Sequence, residues 1–221
     1  PVSVLHLNLP VTIGRFWTPA YREAWRSLQE ALARKYDSDP LIREVSNTSC
    51  SSITDEPFLL PADPLSLRHL LDAGFDSDAD RDCLAQSAKD YALWRTTRID
   101  YYFNPFRGIV GGRPQVEPEV ALAIMHQWRE QLGPRGILSN HALSSPPSPH
   151  LDGIYHAIRE LGPPIEFQTH APRGLDWDAT IRYAVSLGAA SVELWPNTHF
   201  GGFTQIPPDQ LKEWAAEFKH N

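Results

Sequence analysis

The chain has 221 residues, 42% of them hydrophobic, and a formal net charge of −7. That length suits one domain with a sizeable core, and no apolar run approaches the ~18 residues a membrane helix needs. The acidic balance argues against a nucleic-acid partner, which wants a basic face.

In chain order, short apolar runs alternate with helix-sized amphipathic segments about six times, the pattern of a parallel sheet covered by helices. The first strand is predicted over 2–8, starting almost at once after Pro1 with no signal peptide before it, so an N-terminal cut is expected. A loop of large residues follows. Thr18 then caps a helix that has Pro19 in its first turn and runs to about Lys35. The second strand is predicted over 42–47 and a long loop over 48–63. Helices are predicted over 64–73 and from Ser77 to about Trp94. A third strand over 99–103 is broken by Asn104-Pro105, and the glycine-rich run 108–112 reads as a loop. A helix over 118–132 is stopped by Gly133-Pro134. The remaining strands are expected over 136–139, 165–169 and 191–195, with helices over 151–161, 176–187 and 207–218.

Loops that follow strands are long and rich in Pro, Gly and aromatics, whereas the returns into strands are tight. Chemistry is therefore expected at the carboxyl ends of the strands. Cys50 and Cys83 fit no zinc spacing; either a disulfide or two buried thiols would account for them. Asn47-Thr48-Ser49 matches a glycosylation triplet.

Two acids stand out. In the last strand Ser191, Glu193 and Trp195 alternate away from Val192 and Leu194, which aims Glu193 inward near the strand end. A carboxylate there is paired or used, because burying it alone is costly. Glu56 lies on the loop after the second strand, restrained by Pro57, with Asp55 competing for its role. A structural ion pair for Glu193 and a solvated loop acid for Glu56 are the plainer readings. Polar residues close the other strands: His6 and Asn8, Asn104, Asn140 and His141, then Gln168 and His170, with Glu166 deeper and in phase. Such a ring can grip several hydroxyl groups. His6, His141, His170 and Glu193 could in principle form a divalent-metal site, although there is no HxH pair. Gly201-Gly202 is a faint phosphate-loop signal.

The stretch from Trp17-Thr18-Pro19 through Arg34-Lys35-Tyr36-Asp37-Ser38-Asp39-Pro40 resembles the third helix and fourth strand of retaining (β/α)8 glycoside hydrolases of the clan A type. The resemblance implies Glu56 as acid/base. It also implies a nucleophilic glutamate late in the chain, Glu193 or alternatively Glu166.

The expectation is therefore one domain over 1–221: a (β/α)8 TIM-type barrel lacking its first one or two units. It would hydrolyse an O-glycosidic bond with Glu56 and Glu193, while Asn104, Asn140, Gln168, His170 and Trp195 bind the carbohydrate. Neither cofactor nor metal is expected, nor a nucleic-acid or membrane partner; a secreted or extracytoplasmic location is favoured. The alternatives are a non-catalytic carbohydrate-binding barrel domain of a larger protein and a metal-dependent barrel enzyme.

Overall fold

A computed structural model describes residues 1–6, 9–52, 54, 56–61, 63–170, 175–195 and 206–218. The chain divides into two compact units, Pro1–Gly136 and Ile137–Asn221. Asn8, Asp55, Pro196, Asn197, Gly201 and Gly202 lie outside the described residues. No helix among the described residues is long and apolar enough to cross a membrane.

The first unit opens with β1 (Val2–His6) and β2 (Leu9–Ile13), paired antiparallel from Val2 opposite Ile13 to His6 opposite Leu9. Helix α1 (Pro19–Tyr36) starts where the Thr18 side chain accepts from the Tyr21 amide. It ends at Asp37, whose carboxylate accepts backbone N–H groups of Arg95, Thr96 and Thr97 at 2.8–2.9 Å. Burial pushes that carboxyl up, but the three amide donors outweigh it and hold it below the usual aspartate range. The helix exit is thereby fastened to the turn that feeds β4 (Arg98–Tyr102).

Strand β3 (Glu44–Ser46) runs parallel to β4, with Glu44 beside Arg98 and Ser46 beside Asp100. Helices α2 (Pro64–Asp72) and α3 (Ser77–Tyr91) follow, capped by the carboxylates of Asp63 and Asp76. Cys50 and Cys83 are joined as a disulfide that ties the loop after β3 to α3. A second hairpin pairs β5 (Phe106–Val110) with β6 (Arg113–Glu117) across Gly111 and Gly112. These glycines have φ of +57° and +75°, which a side chain would disfavour. Helix α4 (Pro118–Leu132) closes the unit. Its Trp128 is fully buried, with its ring 4.6 Å from that of Tyr101, which in turn lies 4.7 Å from Phe103.

The second unit is built on three parallel strands, β7 (Gly136–Leu143), β8 (Ile165–Thr169) and β9 (Ser191–Glu193). Helices α5 (Asp152–Leu161), α6 (Trp177–Ser186) and α7 (Pro208–Glu217) accompany them. Ile154 and Ile158 of α5, Phe167 of β8 and Ile181 and Ala184 of α6 supply its buried core. Arg182 bonds Asp178 and Glu217, and the Trp214 indole N–H donates to Asp178, joining α6 to α7.

This architecture corrects the barrel expectation. The parallel strands among the described residues are five, β3, β4, β7, β8 and β9, where a closed (β/α)8 barrel has eight. The predicted first barrel strand is instead one arm of an antiparallel hairpin. Val2 and Val4 are buried and Ser3 is exposed, the alternation of a sheet wet on one face rather than of a strand covered on both. The run 108–112, expected as a loop, is part of the β5–β6 hairpin.

Candidate functional site

The loop after β3 carries the first acid, and it is held at several points. Asn47 is fully buried; its Nδ2 donates to Ser87 Oγ at 2.9 Å and its Oδ1 accepts from the Ser49 amide at 3.0 Å. The glycosylation triplet is therefore spent on the fold. Cys50 is anchored by its disulfide, and Ser52 Oγ donates to the Leu59 carbonyl at 2.6 Å, closing the neck of the segment between them. Phe58 is buried with φ of +72°, a left-handed backbone that costs a bulky residue roughly 1–3 kcal/mol.

At the tip of this loop Glu56 is half-buried, and its Oε2 accepts from Asn104 Nδ2 at 2.9 Å. Asn104 is buried just past the end of β4. On β4 the residues alternating toward it are Tyr102, Asp100 and Arg98, which lie beside Ser46 and Glu44 of β3. Tyr102 and Ser46 share a hydrogen bond of 2.5 Å between their hydroxyls, and Arg98 Nη2 lies 3.1 Å from Glu44 Oε2. One face of the β3–β4 pair is thus a polar stripe ending at a carboxylate whose oxygen is fixed by an amide. A carboxyl group oriented in this way is suited to proton transfer with a bound hydroxyl or glycosidic oxygen.

In the second unit, Glu193 ends β9 beside Gln168 of β8 in register, and Glu166 lies one pleat deeper, beside Ser139 and Ser191. Glu166 and Gln168 are buried. Glu193 is exposed rather than enclosed, because β9 is only three residues long and ends on it. Asn140 is fully buried, and its Oδ1 accepts from Tyr155 OH at 3.0 Å and from the Ala142 amide at 2.9 Å, which secures α5 and the end of β7. His170 is exposed and its amide donates to the Leu143 carbonyl. The Trp195 indole is 43% exposed, on a backbone held by donation to Thr169 Oγ1 at 2.9 Å.

Of the residues singled out from the sequence, two pairs are brought together, Glu56 with Asn104 and Gln168 with Glu193. Asn140 is committed to internal bonds, while His170 and Trp195 face solvent. Ser46 and Phe58 join the site without a sequence signal, since a strand serine and a loop phenylalanine carry no motif. Among the described residues no three His, Cys, Asp or Glu side chains are grouped as a metal site. No family model matches the chain, no curated protein is similar to it, and no solved structure matches it.

Proposed function

We propose that this protein hydrolyses O-glycosidic bonds with Glu56 as the proton-donating carboxyl group. The observation that carries the reading is the 2.9 Å bond from Asn104 Nδ2 to Glu56 Oε2 at the end of a polar strand face. In the first step Glu56 gives its proton to the glycosidic oxygen as the C1–O bond breaks and a second carboxylate bonds to C1. In the second step ionised Glu56 takes a proton from water as that water attacks C1 and releases the second carboxylate. The sequence offers Glu193, or alternatively Glu166, for that second carboxylate.

The test is a panel of aryl glycosides, followed by three variants. Glu56→Gln should lose far more activity on a poor leaving group than on a good one, and azide should restore turnover with retained configuration. Of Glu193→Gln and Glu166→Gln, the one at the nucleophile should abolish turnover on every substrate. The exposed Trp195 indole favours a second reading, sugar binding without cleavage. Binding of sugars with no cleavage of any glycoside would decide for it.

A further inference from the structure

Glu56 is held by more than its own hydrogen bond, and the residue two places on explains how. Phe58 has φ of +72° although it is not glycine, and it is 3% exposed. Its ring lies 5.6 Å from Tyr101 and 5.7 Å from Phe103. Phe103 directly precedes Asn104, which bonds Glu56. The chain therefore grips the end of β4 twice within three residues, by a ring against Tyr101 and Phe103 and by a carboxylate on Asn104. Between the grips, buried Pro57 has a fixed φ and restricts the backbone of Glu56. Pro57 suits the first central position of this turn, but the left-handed position after it favours glycine and not a phenylalanine. The conformation survives because burial of the ring over-determines it. The segment from Glu56 to Phe58 is stiff, so the position of the ring sets the position of the carboxylate.

We infer that Phe58 is a positioning residue that holds the Glu56 carboxylate on Asn104, an inference that rests on the proton-donor reading of Glu56 only for its kinetic consequence. Without the ring, the backbone at 58 relaxes out of the left-handed region and Glu56 leaves the Asn104 amide.

The closing experiment has two arms on the whole chain. In the first, the side-chain amide resonances of Asn104 are followed against pH by NMR. They should titrate in the wild type, lose that titration in Glu56→Gln, and lose it also in Phe58→Ala while the other amide resonances keep their native dispersion. Phe58→Leu, which refills much of the apolar space, should restore it. In the second arm, kcat on an aryl glycoside with a poor leaving group should fall by about 100-fold in Phe58→Ala. KM should stay within about twofold, and the basic limb of the pH profile should move. If Phe58→Ala fails to fold, Phe58→Met replaces it and should show partial loss in both arms. A folded Phe58→Ala or Phe58→Met with an unchanged Asn104 titration overturns the inference. If no glycoside is cleaved, the proton-donor reading of Glu56 fails while the NMR arm still decides the role of Phe58.

Discussion

Asp80 shows two electrostatic effects in competition at one residue. It sits in the first turn of α3, where the helix dipole favours a negative charge by roughly 0.3–1 kcal/mol. It is also 3% exposed, and burial pushes its carboxyl up to about 8 despite the neighbouring Arg81. Desolvation of a buried carboxylate outweighs a terminal dipole. The folded state thus keeps the Asp80 proton up to about pH 8, whereas the unfolded chain releases it near pH 4. Stability is unaffected by this group below about pH 4 and falls as pH rises toward 8, by at most about 1.4 kcal/mol per pH unit. Asp80→Asn cannot ionise, so its stability relative to wild type should climb steadily between pH 5 and pH 8. Urea midpoints of the two proteins across that range measure the gap. A gap independent of pH would mean that Asp80 ionises as an ordinary carboxylate in the folded state.

At the scale of elements, the loop after β3 depends on a covalent tie. The Cys50–Cys83 bridge spans 33 residues of chain, and closing a loop of that length in the unfolded state is worth roughly 3–4 kcal/mol. Cys50→Ser with Cys83→Ser should lower the unfolding free energy by about that amount, read from the fall in urea midpoint. Because both sulfurs are buried, the native protein should resist a mild reductant that acts quickly once urea unfolds it. Rapid reduction of the folded protein would contradict this.

The legible elements are of both kinds: helix α4 and strand β8 fall where periodicity and flanking Gly and Pro put them, and α1 begins at the predicted Thr18 cap. Both hairpins escaped prediction, although Gly111-Gly112 between Ile109-Val110 and Arg113 is a strong hairpin signal. The glycines by themselves read as a loop, and the β-prone residues beside them make the run a hairpin.

For the whole molecule, the strand–helix rhythm is real, but it does not fix which strands pair in parallel. Rhythm is local, set by patterning within some 30 residues. The count of strands that pair in parallel depends on partners far along the chain, as the antiparallel pairing of Val2–His6 shows. The site was legible to a similar degree. The pairing of Glu56 with Asn104 joins residues 48 apart in sequence, and residue type alone pointed to each of them. Phe58, which shares the loop of Glu56, has no chemistry of its own to betray it. Asn140 has the right chemistry but spends its carbonyl oxygen on Tyr155 and Ala142, and only packing reveals such a commitment.

The burial of Asn47 has a consequence for how the chain must be made. Its side-chain nitrogen is bonded to Ser87 in a fully enclosed position, with no room for a sugar tree. Oligosaccharide transfer in a eukaryotic secretory route acts on the nascent chain, before Asn47 is enclosed, and Asn47-Thr48-Ser49 offers it a target. A chain modified there could not complete the native contact with Ser87, and would be retained and degraded. Secreted yield from a glycosylating host should therefore rise when Ser49→Ala removes the target, while yield from a bacterial host, which attaches no such glycan, should not. Mass spectrometry of secreted wild-type protein should find Asn47 bare. A folded, secreted form carrying a glycan on Asn47 would show that the residue is not enclosed as described.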